Sequence, residues 1–153
     1  MAPLSSLVLK NHFFTLIAVE ASPGGNLEAS CDLVPEFDVR HRKGDNEEWE
    51  FVLFIQVSSK NEGDQFAYSA SIRVQGLFEV MDNFPANDRE KLITVNGLSI
   101  LYGACREMLL TLTARCVHGA LSLPSISFAQ LIDEDSAKPK KKVAKKRGRV
   151  KRA

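Results

Sequence analysis

The stretch NDREKLITVNGLSILYGACREMLLTLTARCVHGALSLPSISFAQLI, residues 87–132, decides how the rest of the chain must fold. Leu98, Leu101, Cys105, Met108 and Leu112 recur in it at three- and four-residue steps. That spacing places them on one helical face, which Ile100, Ala104 and Leu109 widen. Asn87, with Glu90 three residues on and Pro85 just before, reads as a capping-box start. The Asn96-Gly97 pair predicts an early weak point or break, because glycine costs about 1 kcal/mol inside a helix. The ordered helix is therefore expected from about Leu98 to Arg115. After His118-Gly119 the pattern changes to Leu121-Ser-Leu123-Pro124, which cannot continue a regular helix through the proline. Ile126, Phe128 and Leu131 then predict a short second helix.

Four upstream stretches read as strands that this helical segment must cover. In residues 4–21, Leu7, Leu9, Phe13, Ile17 and Val19 fall on one face, and Val8, Phe14, Leu16 and Ala18 on the other. A strand apolar on both faces is buried on both or meets a partner chain. In residues 29–42, Cys31, Leu33, Phe37 and Val39 oppose Asp32, Glu36, Asp38, Arg40 and Arg42. Pro35 inside this run argues for an edge position or a bulge, since proline lacks the N–H a central strand needs. Residues 48–59 set Trp49, Phe51, Leu53, Ile55 and Val57 on one side. Residues 65–80 put Phe66, Tyr68, Ala70, Ile72 and Val74 inward, and Gly76 marks a bulge or a close backbone approach. The intervening turns are of hairpin length. The expected class is α+β: a four-stranded antiparallel sheet with one long and one short C-terminal helix segregated to one face.

At 153 residues the chain makes one domain with room for a real core. No apolar run reaches the ~18 residues of a membrane span, so membrane insertion is not expected. The start, MAPLSSLVLKNHFF, lacks the basic segment and cleavage site of a secretory signal. Cys31, Cys105 and Cys116 are odd in number and lack metal-ligand spacing, which fits a reduced, cytoplasmic setting. Lys138–Arg152 holds ten bases and no acid, leaving residues 1–137 with ten bases against 19 acids, a net charge of −9. The domain is placed at residues 1–135, and residues 136–153 read as a disordered Lys/Arg-rich tail with too little apolar surface to pack. That tail has three readings: an inert solvated run, a salt-sensitive contact to nucleic acid, or an arm lying on the acidic body.

No catalytic constellation emerges. His12, His41 and His118 are far apart, the carboxylates are spread along polar strand faces, and no Gly-rich phosphate loop occurs. An enzyme is not expected, nor a cofactor or metal. The aromatics are spread over every element, and most are expected between sheet and helix. One helix covers one sheet face only, however. The surplus of apolar positions implies a subunit interface, an exposed client groove, or both.

Three motifs in the deciding stretch carry a resemblance. Ile100-Leu-Tyr-Gly-Ala-Cys-Arg-Glu107, then Leu112-Thr-Ala-Arg115, then Leu121-Ser-Leu123-Pro-Ser-Ile126-Ser-Phe128-Ala-Gln-Leu131, resemble the bacterial export chaperone family SecB. That family reads close to I-L-F-P-Y-A-R-E, a helix-ending Arg, and L-N-L-A-P-V-N-F-D-A-L. Val74-Gln-Gly76-Leu-Phe78 is similar to its Q-G-G-I-F. The resemblance implies an ATP-independent holdase that binds unfolded polypeptides or preproteins in apolar grooves and supports export. It implies a homo-oligomer, a tetramer built as a dimer of dimers through the sheets and the long helices. Positions matching the groove are Phe37, Trp49, Leu101, Tyr102, Leu121, Leu123 and Phe128. The family meets the translocase motor SecA through acidic strand residues; Glu20 matches one, while Leu16 and Ser71 occupy the other two places. Gly103 stands where the family has Pro, Cys116-Val-His-Gly119 replaces its Gly-Thr-Phe-Pro, and its tail is usually acidic. A divergent member is implied, for which a dedicated chaperone of one client such as an antitoxin is an alternative. A nucleic-acid-binding protein acting through the tail is another.

Overall fold

A computed structural model describes Pro3 and residues 5–137. Four strands, β1 (Leu7–Ala21), β2 (Cys31–Lys43), β3 (Glu47–Ser59) and β4 (Tyr68–Val80), precede two helices, α1 (Arg89–Thr113) and α2 (Phe128–Ala137). The sheet is wholly antiparallel in the order β1-β4-β3-β2. The expected α+β architecture is therefore the observed one. The basic run from residue 138 lies outside the described residues, whereas Ser136 and Ala137, placed with the tail by sequence, belong to α2.

The sequence of turns misleads at one point. β1 and β2 lie at opposite edges, so residues 22–30 are a crossover and not a hairpin. Ser22 N–H donates to Ala67 O at 2.8 Å and Ala67 N–H to Asn26 O at 3.1 Å, which stitches the crossover to the start of β4. Pro35 sits on an edge strand, where its missing N–H costs no ladder bond.

Cross-strand partners share a sheet face. β3 and β4 keep strict alternation: Trp49, Phe51, Leu53, Ile55 and Val57 are buried on the helix side together with Tyr68, Ala70, Ile72, Val74 and Phe78. β1 does not. Its register slips between Leu9 and Asn11 and again between Phe14 and Leu16, so Lys10 and Thr15 are each an extra residue. A single extra residue reverses every side chain beyond it. Phe13, expected beside Leu9, is thereby turned to the open face opposite Gln75, and Phe14 takes the inner place opposite Val74.

α1 is longer than its sequence pattern implies at the front and shorter at the back. It starts at Arg89, passes Gly97 without a break and ends at Thr113. The Asn87–Glu90 box is not formed; the N-cap is Asp88, in the left-handed region at φ 51° and without a side-chain cap bond. The helix survives its glycine because the helix lies too close to β3 for anything larger. A Cβ on Gly97 would stand 2.6 Å from Cε2 of Phe51. The buried face is Ile93, Gly97, Leu98, Leu101, Tyr102, Cys105, Leu109 and Thr113, so Leu109 is core and Leu112, at 41% exposure, is not.

Candidate binding groove

The β2 edge of the sheet creates a concave site. Among the described residues β2 pairs only with β3, and Leu131 and Asp135 of α2 stand across from its outer edge. Between them runs a groove of about 450 Å³ lined by Leu33, Val34, Pro35, Glu36, Phe37, Leu131 and Asp135. Its walls are aliphatic and aromatic, one bank is an unpaired strand edge, and carboxylates stand at the rim. Such a site offers main-chain partners to an extended peptide and breadth to its side chains. Phe37 also borders a shallower hollow on the open face, with Asp38, Val52, Phe54 and Arg73. Arg73 there lies 5.1 Å over the Phe54 ring.

Of the seven groove positions assigned from sequence, the structure brings Phe37 alone to this open surface. Trp49, Leu101, Tyr102, Leu121, Leu123 and Phe128 are buried within the single chain. Leu101, Tyr102, Leu121, Leu123 and Phe128 gather where α1 meets the connector between the helices, whereas Trp49 lies on β3 beside His41 and Phe51. Tyr102 is 4% exposed, meets Phe128 edge-on at 5.8 Å, and donates its hydroxyl to the carbonyl of Pro124. Burial pushes its phenol up to about 12, so it stays a donor at all ordinary pH. Arg106 of the Arg-Glu motif lies 6.0 Å over the same ring, and Glu107 is exposed. For Leu101, Tyr102, Leu121, Leu123 and Phe128 to line an open groove, the connector would have to lift.

Polar pins hold that connector down. Thr113, fully buried, donates to Leu109 O at 2.6 Å and accepts from Leu121 N–H at 2.7 Å. Tyr68 donates to Gly119 O at 2.5 Å, and His118 Nε2 lies 2.8 Å from Ser22 O. Gly119 has φ +84°, a turn that a side chain would strain.

At the opposite end of the sheet Glu47 is the charged hub. Arg89 donates two bonds to its carboxylate, Trp49 Nε1–H donates at 3.2 Å, and His41 Nε2 lies 3.0 Å away. The Arg89 guanidinium first, then the other donors and charges, hold this carboxyl well down, at about 2. The His41 ring stacks on Trp49 at 4.2 Å. The hub joins β2, β3 and the first turn of α1, which is a structural task. Cys105, pushed up to about 12 by burial, is a thiol in the core. Among the described residues no three His, Cys, Asp or Glu side chains gather as a metal site. No described helix is long and apolar enough to cross a membrane.

The open face gathers the three positions matched to a translocase contact. Leu16 lies opposite Arg73, Ala18 opposite Ser71 and Glu20 opposite Ser69, so Leu16, Ser71 and Glu20 share one corner. Glu20 is exposed and is the one carboxylate of the three. Sequence reasoning missed Leu33, Val34, Pro35 and Leu131 as groove residues. The proline that marks β2 as an edge was the available signal; which helix flanks that edge was not encoded in any local pattern.

Residues 21–138 match the family model described as preprotein translocase subunit SecB. A solved SecB-like chaperone of Mycobacterium tuberculosis, Rv1957, in complex with a ChAD peptide from the HigA1 antitoxin, superposes with a TM-score of 0.53 at 15% identity. The match covers 80% of this chain and 91% of that one. A Streptococcus agalactiae protein of unknown function gives a TM-score of 0.48 at 11% identity, over 78% of this chain and 97% of that one. No curated protein matches the chain.

Proposed function

The chain belongs to the SecB family, and from that premise we propose that it is a holdase that keeps unfolded polypeptides from aggregating without consuming ATP. Family and fold support a chaperone role. The observation that carries the finer reading is the apolar groove beside the unpaired edge of β2. Broad binding needs apolar surface without shape-specific pockets, and backbone partners that every extended client can use. Leu33, Val34, Phe37 and Leu131 supply the first, the β2 edge the second. The test is dilution of a chemically denatured model protein into buffer with the full chain and no nucleotide. Light scattering should be suppressed at near-stoichiometric chaperone. Undiminished aggregation at excess chaperone would overturn the reading.

The client range has a second reading, as a dedicated chaperone of one protein such as an antitoxin. It is favoured by the likeness to the M. tuberculosis chaperone, whose solved complex holds an antitoxin peptide. Suppression confined to one natural partner would select it. Preprotein export and contact with SecA rest on narrower ground, since Glu20 alone keeps the acid of that corner. Assembly as a dimer of dimers is supported by apolar surface that one chain leaves open. Leu92, Ile100 and Leu110 are exposed on α1, and Phe13 and Ile17 on β1 are 47% and 43% exposed.

A further inference from the structure

The outer edge of β2 is not uniform along its length. β2 and β3 pair without a slip from Cys31 opposite Ser59 to Lys43 opposite Glu47. At one end Lys60 N–H donates to Ser30 O at 3.1 Å, and at the other Gly44 N–H donates to Asn46 O at 3.4 Å. Both groups of a residue leave an extended strand on one side, and successive residues alternate. The even-numbered residues of β2 therefore turn their N–H and C=O toward β3, and the odd-numbered ones turn theirs outward. Along the groove the outward residues are Leu33, Pro35 and Phe37, with Val39 next.

Each of these presents a carbonyl, but their donors differ. Pro35 has no N–H. The N–H of Val39 is taken by Oδ1 of Asp38 at 3.0 Å, a local bond of the kind that keeps a backbone group out of a ladder. Asp38 reaches it from the open face, where its side chain lines the hollow that also holds Arg73. Leu33 and Phe37 keep their N–H groups, with no acceptor among the described residues. An added strand can thus bond both groups of Leu33 and both of Phe37. Between them Pro35 only accepts, and past Phe37 the next donor is already spent.

With the groove taken as the client site, as proposed above, we infer that β2 receives one short extended segment in a fixed register, and that Asp38 is the stop that ends it. Whichever way it runs, the segment must give an N–H at three alternate residues, to the carbonyls of Leu33, Pro35 and Phe37. Proline is excluded from those three positions and tolerated between them. Alternate side chains of the segment then lie against Leu33, Phe37 and Leu131. A short pairing suits a holdase, since each further pair slows release. An edge open along its whole length would also invite strand addition by other chains.

The test uses the full chain and a fluorescent, uncharged peptide, Ser-Leu-Thr-Phe-Thr-Val-Ser, with a longer version carrying Thr-Val-Thr-Val at each end. Amide exchange followed residue by residue should slow at Leu33 and Phe37 when the short peptide binds, with Val39 unchanged. Copies of that peptide bearing one N-methyl amide each should fall into two sets. Methylation at one alternate set should weaken binding about 5-fold or more, and at the other set hardly at all. Asp38→Ala should free Val39, extend protection to it, and tighten the longer peptide about 2- to 10-fold, as for one added bond. Asp38→Asn, which keeps the accepting oxygen, should restore the parent's pattern. Unchanged exchange at Leu33 and Phe37 with peptide bound would overturn the inference and leave the chaperone reading in place. So would N-methyl copies weakened all alike, or a longer peptide that Asp38→Ala holds no better than the parent does. Peptides that fail to bind a chain able to suppress aggregation would overturn it too. A chain that does neither loses the client reading itself, and this inference with it.

Discussion

Phe51 projects from β3 into the gap that Gly97 leaves in α1, with its ring where a Cβ would stand 2.6 Å from Cε2. The contact is answered one turn on. Gly76, the cross-strand partner of Phe51, leaves the gap that Leu101 fills, where a Cβ would stand 2.7 Å from Cδ2. Helix and sheet thus exchange one large and one absent side chain each. The exchange sets how closely α1 lies on the sheet.

Gly97→Ala should therefore destabilise, although alanine is the better helix former. The helix propensity gain is about 1 kcal/mol. Against it stands an overlap with a fully buried ring, itself wedged edge-on against Phe78 at 5.5 Å. Overpacking of this kind costs about 1–3 kcal/mol. Thermal denaturation should show a lower midpoint for Gly97→Ala, while Gly103→Ala, with open space around its Cβ, should raise it. A higher midpoint for Gly97→Ala would mean that the close approach does not hold in solution.

The same pair shows what sequence could reach. Strict alternation in β3 and β4 made their inner faces legible residue by residue, because a buried sheet face tolerates no polar intruder. Pro35 announced an edge, and Gly76 a close approach. Gly97 was read as a weakness because local propensity knows nothing of Phe51, which lies 46 residues away in sequence. The two bulges of β1 escaped notice because its apolar residues fall on both faces, leaving no contrast to reveal a slip. Of the seven assigned positions, Phe37 alone lines the hollow beside β2. Trp49 lies on the inner face of β3, and the other five positions came from the deciding stretch, whose large side chains are sealed between α1, α2 and the sheet.

Glu47 makes stability depend on acid. Its folded carboxyl titrates at about 2, below the ordinary value of 4.5. A depressed carboxylate contributes fully above its unfolded value, and its contribution falls away as pH drops through the folded one. Urea unfolding should thus show stability lost progressively from about pH 4.5 down to about 2. Glu47→Gln should flatten that slope and cost ~1–2 kcal/mol at neutral pH, the range for losing charge-assisted bonds at a part-exposed site. An unchanged slope would show that Arg89 is not held by Glu47 in solution.

Self-association should follow the apolar surface of α1 and β1. Light scattering at micromolar concentration is expected to give about four times the chain mass, as for a dimer of dimers. Ile100→Asp and Leu110→Asp place a charge on the exposed helix face without touching the core. Each should dissociate the assembly at least one step while leaving the circular dichroism of the fold intact. A monomeric parent, or an assembly indifferent to both substitutions, would refute the helix interface.

Phe37 and Tyr102 separate groove from floor. Phe37 is half-buried on an edge strand, touching the margin of the core on one side and the groove on the other, so its truncation removes groove surface at less cost to the core than loss of a fully buried ring. Phe37→Ala should weaken client binding by ~1–3 kcal/mol and lower the melting point less than Tyr102→Ala does. Tyr102 is sealed against Phe128 and bonded to Pro124. Tyr102→Ala should cost ~3–5 kcal/mol of stability through the cavity it leaves, and Tyr102→Phe only about 1 through the lost bond. Binding by Tyr102→Phe should stay near that of the parent, since the ring still supports the connector. Should Tyr102→Ala instead fold as stably as the parent and lose client affinity, the connector must lift during binding. The floor of Leu101, Leu121, Leu123 and Phe128 would then be part of the client site. Parent-like binding by Phe37→Ala would remove the β2 groove from consideration.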